Sequence, residues 1–108
     1  MILSVDATVQ ARTGSSRLPN KVLKPVLGKA LLQHQIERIQ RASTIDRVVL
    51  ATSNLAQDDP LEDLANSMGI LCFRGSETDV ISRVCGALEK FEIDIHAEFQ
   101  GDNSIPDP

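Results

Sequence analysis

Apolar and polar positions along the chain switch repeatedly between a period of two and a period near 3.6. Residues 2–10 alternate apolar and polar and end in Thr8-Val9-Gln10, which predicts a first strand. Asp6 puts a charge inside that strand, where a carboxylate is poorly suited. Residues 29–42 change to the helical period: Leu32, Ile36 and Ile39 share one face with Leu31 beside them, and Glu37, Arg38 and Arg41 face water. Gly28 precedes this helix, so free N–H groups at its start are available to an anion. Residues 47–52 form a short apolar run, a second strand, and 53–58 a polar turn.

Asp59-Pro60-Leu61-Glu62 opens a second helix. Asp59 suits the cap, Pro60 the first helical position, and Glu62 a capping box. Leu61, Leu64, Ala65 and Met68 form its buried stripe and Gly69 ends it. Residues 70–73 read as a third strand, Arg74-Gly75-Ser76 as a turn, and 78–91 as a third helix. Its expected core face is Ile81, Val84, Leu88 and Phe91, with Cys85 alongside. Residues 93–99 complete a fourth strand.

Strands and helices that alternate at these intervals predict a parallel sheet with right-handed crossovers. The fold class is α/β, a three-layer Rossmann-like arrangement with strand order 3-2-1-4. Ligands of such sheets bind beyond the carboxyl ends of the strands, where the winding reverses. The loop after the first strand and the Gly101-Asp102 turn after the fourth should meet there. At 108 residues, one α/β domain over residues 1–108 is the natural unit.

Composition narrows the classes. Apolar residues make up 42 % of the chain, ordinary for a folded protein. No apolar run approaches the roughly 20 residues of a membrane span, and no leader pattern opens the chain, so a cytoplasmic protein is expected. Cys72 and Cys85 then read as reduced thiols. Aromatic content is 3 %, with neither Trp nor Tyr, which disfavours base-stacking platforms for nucleic acid. His96-Ala97-Glu98 has the H-x-E form of a zinc deaminase but lacks the later cysteine pair. His34 reads as a surface or boundary residue, and Asp58-Asp59 as a helix start more readily than a metal pair.

The formal net charge is −4, yet no acidic residue occurs between Asp6 and Glu37, a window that holds Arg12, Arg17, Lys21, Lys24 and Lys29. A basic window in an acidic chain points to a local anion site. Gly14 allows close backbone approach, Thr13, Ser15 and Ser16 offer hydroxyls, and Arg12, Arg17 and Lys21 offer charge. Neither the Walker A pattern nor the dinucleotide fingerprint is present. On composition, a phosphate nest and a solvated basic turn are equally good readings.

The residue order goes further. Gln10-Ala11-Arg12-x-Gly14-Ser15-Ser16-Arg17-Leu18-Pro19-x-Lys21, then Val22-Leu23-x-Pro25-Val26-x-Gly28-Lys29, resembles the opening of the cytidylyltransferases that make CMP-activated acidic sugars. The likeness is to the spore-coat polysaccharide F-type branch, related to the CMP-KDO and acylneuraminate synthetases. It continues through Ala51-Thr52-Ser53, Asp58-Asp59-Pro60, Phe73-Arg74-Gly75-Ser76, Asp79-Val80 and Gly101-Asp102. The resemblance implies a nucleotide-diphospho-sugar transferase fold, truncated here, since the family's domain is roughly twice as long.

It also implies CMP transfer from CTP to a sugar in surface polysaccharide synthesis. Arg12, Arg17 and Lys21 would then hold the triphosphate, and Asp102 would bind Mg²⁺. Ala11, Thr52, Ser53, Arg74, Ser76 and Gln100 would lie near base and ribose. Asp79 and Arg83 either line the same pocket or are a helix-end acid and a surface base. Asn20 stands at the family's usual glycine, and Ser104 and Pro106 depart from its pattern. Two alternatives remain. One is a glycosyltransferase, which would commonly carry D-x-D where Gly101-Asp102-Asn103 stands. The other is a truncated, non-catalytic nucleotide- or partner-binding relative. No nucleic-acid or membrane partner is expected, and an open sheet edge leaves room for a homodimer.

Overall fold

A computed structural model describes residues 5–13 and 23–100. In chain order the described elements are β1 (Val5–Gln10), β2 (Pro25–Val26), β3 (Lys29–Ala30), α1 (Leu31–Gln40), β4 (Arg47–Ser53), α2 (Asp59–Met68), β5 (Leu71–Gly75), α3 (Val80–Lys90) and β6 (Ile95–Gln100). A 3₁₀ turn, Ala56–Asp58, leads into α2. The start of the first strand before Val5 and the residues Gly14, Ser15, Ser16, Arg17, Lys21 and Asp102 lie outside the described residues.

Alternation along β1 separates two chemistries onto two faces. Ala7 and Val9 point into one apolar core with Leu32, Ile36 and Ile39 of α1, Val48 and Leu50 of β4, and Leu61 and Ala65 of α2. Gln10, one residue out of phase with Val9, bonds instead to Arg83 of α3. Helices α1 and α2 therefore cover one face and α3 the other, giving three layers. The sheet order is β5-β4-β1-β6, with every pairing parallel. This is the predicted 3-2-1-4 arrangement, and winding reverses between β1 and β6.

Asp6, awkward in a strand, is fully buried and paired with Arg47, its register neighbour on β4. Arg47 donates through Nη2 to Asp6 Oδ2 at 2.7 Å and through Nε to Oδ1 at 3.2 Å. It also donates to the Phe91 carbonyl at 2.9 Å. The carboxylate holds the Arg47 pKa above the usual guanidinium value. A forked donor matched to a carboxylate makes the buried charge tolerable.

Several expectations change. Helix α1 begins at Leu31 rather than residue 29, because Lys29 and Ala30 pair antiparallel with Pro25 and Val26. Leu27 and Gly28 form the turn of that ribbon, with φ of 53° and 84°. Both central residues in the left-handed region are what a two-residue hairpin requires. Gly28 therefore turns a hairpin and does not present a helix start to an anion. His34 meets the ribbon through Nε2, 2.5 Å from the Val26 carbonyl, as a boundary residue.

Strand β5 runs on to Gly75, so Arg74 and Gly75 belong to the strand rather than to a turn. Asp59 is not a cap: it lies inside α2, and its carboxylate pairs with Arg74, as does that of Glu62. The core face of α3 is also different. Arg83 and Ala87 are its buried residues, while Ile81 is 77 % exposed and Cys85 is exposed. The reason is small size: a Cβ on Gly86 would lie 2.5 Å from the Phe73 ring, so the helix seats itself on that glycine. No helix among the described residues is long and apolar enough to cross a membrane.

Candidate functional site

Four strands deliver their carboxyl ends to one edge of the sheet. Gln10 of β1 stands in register with Ala51 of β4 and with Gln100 of β6. The pairing continues past β1, where Ala11 N–H donates to the Ala51 carbonyl at 3.1 Å, and past β4, where Asn54 N–H donates to the Gly75 carbonyl at 2.8 Å. Ala11 is thus buried with its N–H spent.

Two clusters form at this edge. In the first, Asp58 is fully buried and accepts from Thr13 twice, from N–H at 2.8 Å and from the hydroxyl at 2.7 Å. The Ser53 hydroxyl also donates to Asp58, through Oδ2, and accepts from Leu55 N–H at 3.2 Å. Burial pushes the Asp58 pKa up, but the bonds from Ser53 and Thr13 outweigh it and hold it below the usual carboxylate value. Thr13, expected to offer its hydroxyl to phosphate, spends that group on Asp58. Ser53 does likewise.

In the second cluster, Arg83 reaches from α3 across the end of the sheet. Its Nε donates to Gln10 Oε1 at 3.0 Å, and its Nη1 donates to the Ser76 carbonyl at 2.8 Å and approaches the Glu77 carbonyl at 3.4 Å. Only 2 % of Arg83 is exposed, so it is not a surface base. Burial first, and then the charge of Arg12, lower its pKa. Arg12 is half-buried, and its guanidinium lies 3.6 Å from the Glu77 carboxylate. Arg12, Ser76 and Arg83 therefore converge around Gln10 and Glu77.

Other expected site residues have their side chains engaged elsewhere. Arg74 donates to Glu62 at 2.7 Å, Asp59 at 3.0 Å, and the carbonyls of Ser53 at 2.5 Å and Leu55 at 2.7 Å. Burial works against its charge, but the acidic partners raise its pKa. The Ser76 hydroxyl accepts from Asp79 N–H at 3.0 Å, and Asp79 accepts from Ser82 N–H at 3.0 Å, which caps α3. Asp79 is a helix-end acid. Thr52 is buried at the end of β4, and the Gln100 backbone is paired to Gln10. A groove of about 440 Å³ lies at the other end of the sheet, between Gln40, residues 45–48 and residues 69–71, away from these clusters.

Sequence reasoning assigned no role to Gln10, Glu77 or Asp58 beyond helix starting. The available signal was a polar side chain at a strand's carboxyl end, which is where α/β ligands bind.

The model of the cytidylyltransferase family matches residues 7–107. The chain belongs to that family. The spore coat polysaccharide biosynthesis protein SpsF of Bacillus subtilis is 36 % identical over 104 residues, covering 93 % of this chain and 43 % of SpsF. A cytidylyltransferase from Leptospira borgpetersenii superposes with a TM-score of 0.88 at 35 % identity, over 94 % of this chain and 42 % of that one. CMP:2-keto-3-deoxy-manno-octonic acid synthetase complexed with CTP superposes with a TM-score of 0.77 at 30 % identity, over 93 % and 41 %. This member of the family spans about two fifths of the length of the relatives it matches.

Proposed function

We propose that this chain carries the nucleotide-binding part of a CTP-dependent nucleotidyltransferase that transfers CMP to an acidic sugar and releases pyrophosphate. The observation that carries the reading is the parallel register of Gln10 with Gln100 at the point where the crossovers reverse. The basic stretch beginning at Arg12 and the Gly101-Asp102 pair thus follow neighbouring strand ends. The synthetase that shares this fold was solved with CTP, and the SpsF relative is a polysaccharide biosynthesis protein, which supports an activated sugar as product.

In this reading Arg12, Arg17 and Lys21 bind the triphosphate and then the leaving pyrophosphate, with Gly14, Ser15 and Ser16 adding hydrogen-bond donors. Ala11, Thr52, Ser76, Arg83 and Gln100 line the base and ribose side. Ser53, Arg74 and Asp79 shape that wall through the bonds they already make. The acceptor's hydroxyl oxygen bonds to the α-phosphorus. The bond from that phosphorus to the bridging oxygen breaks, pyrophosphate leaves with the electron pair, and the hydroxyl proton passes to solvent. The protein contributes positioning and charge neutralisation.

Asp102 and triphosphate oxygens are hard donors that suit Mg²⁺, and the ion would supply further neutralisation of phosphate charge. In this reading Asp102 would bind the ion together with the nucleotide.

Calorimetric titration with CTP and Mg²⁺, followed by a pyrophosphate-release assay with acidic sugars, tests the proposal. Saturable CTP binding and sugar-dependent pyrophosphate are the expected results. Absence of CTP binding at millimolar concentration would overturn it.

A further inference from the structure

We infer that Gln10 is a base-recognition residue, whose amide is held by Arg83 so that its N–H donors are left for the acceptor edge of a bound pyrimidine. The inference rests on the nucleotide reading above and deepens it. Three observations carry it. Gln10 is 3 % exposed, and its Nε2 has no hydrogen-bond partner. Its Oε1 accepts from Arg83 Nε at 3.0 Å. It closes β1 between the ends of β4 and β6, at the reversal of the sheet.

The amide orientation follows from chemistry. A guanidinium only donates, so the atom facing it is the oxygen, and the NH₂ is turned elsewhere. Arg83 is itself immobilised by the Ser76 carbonyl and by its own burial, so Gln10 cannot swing to satisfy its nitrogen. A buried amide nitrogen without an acceptor is costly and calls for a partner that arrives later. At this edge the cations suit phosphate oxygens. A neutral, buried donor suits a neutral acceptor, and the pyrimidine carbonyl O2, common to cytosine and uracil, is of that class.

Gln10→Met keeps the length of the side chain and removes the donors. Gln10→Glu keeps an acceptor for Arg83 and also removes them. Calorimetric titration of the full chain with CTP, and separately with inorganic triphosphate, distinguishes the roles, with melting temperatures recorded in parallel. Gln10→Met should bind CTP about fivefold to tenfold more weakly, the size of one neutral hydrogen bond, with inorganic triphosphate binding unchanged. Gln10→Glu should fold as well as wild type and yet lose at least as much CTP affinity.

Unaltered CTP affinity in Gln10→Met overturns the inference and indicates that water serves the amide. Equal weakening towards CTP and inorganic triphosphate overturns it too, since Gln10 would then merely support the loop. If Gln10→Met does not fold, Gln10→Glu decides: wild-type CTP affinity there reduces Gln10 to an anchor for Arg83. A wild-type chain that binds inorganic triphosphate but not CTP removes base recognition, while one that binds neither removes the nucleotide reading itself.

Discussion

Asp58 ties the root of the basic stretch to the end of β4, and it does so as a charged group without access to water. Asp58→Asn should reduce stability by about 1–3 kcal/mol at neutral pH, because the amide presents an N–H where Thr13 or Ser53 needs an acceptor. The folded carboxyl titrates below its unfolded value of about 3.9, so its contribution is complete above that value and disappears as pH falls through the folded pKa. Urea unfolding across a pH series should show the two proteins converging in acid; a constant gap would show that charge is not involved. Asp58 was hard to read because its partner Thr13 is 45 residues away, whereas Pro60 beside it made helix starting look sufficient. Arg74 sits in a family-like motif, and the structure adds that Asp59 and Glu62 hold its guanidinium.

Helix α3 shows how a period can be right and its phase wrong. Ile81, Val84, Leu88 and Phe91 do form a stripe, but Gly86 and Ala87 let the backbone approach the sheet more closely than large residues would. Gly86→Ala gains about 1 kcal/mol in helix propensity but drives a methyl into the Phe73 ring, an overpacking cost of about 1–3 kcal/mol. A net loss of stability is expected, relieved by adding Phe73→Leu. Ile81→Ser should change stability by less than about 0.5 kcal/mol, because that side chain is mostly in water. Chemical denaturation of the three variants checks this; a large loss at Ile81 would place the core where periodicity suggested.

The β2–β3 ribbon offers a converse case. Leu27 is 92 % exposed at φ 53°, where a leucine is strained. Leu27→Asn should raise stability by about 0.5–1 kcal/mol, read from thermal unfolding.

Across the molecule as a whole, an acidic chain of net charge −4 is proposed to bind a polyanion through one acid-free window. Attraction of that kind is local and screened by salt. In a complete enzyme that contains this chain, Lys21→Ala should therefore lower pyrophosphate release at least tenfold while leaving the unfolding midpoint nearly unchanged, since loss of one charge-assisted bond to phosphate costs about 1.5–3 kcal/mol. CTP affinity of the wild type should fall as ionic strength rises. Turnover unaffected by Lys21→Ala would remove that lysine from the mechanism. Ile95 on β6 is 44 % exposed, and among the described residues β6 pairs with β1 alone.

Apart from the antiparallel β2–β3 ribbon, the order of strands and helices, the parallel pairing of the main sheet and the family likeness were readable along the chain. They depend on local period, on short right-handed connections and on one long motif, which are properties of neighbouring residues. Which donors remain available to a ligand was not readable in that way. Thr13 has the right chemistry for an anion, and an acceptor 45 positions away engages it, while Ser53 and Arg74 are engaged by Asp58 and Glu62 nearer in the chain. Gln10 opened the family-like motif without a role of its own, and the side chain that holds its oxygen lies 73 positions further on. A hydrogen-bond donor can be spent only once, and folding decides where, because it brings partners together that no window of sequence contains.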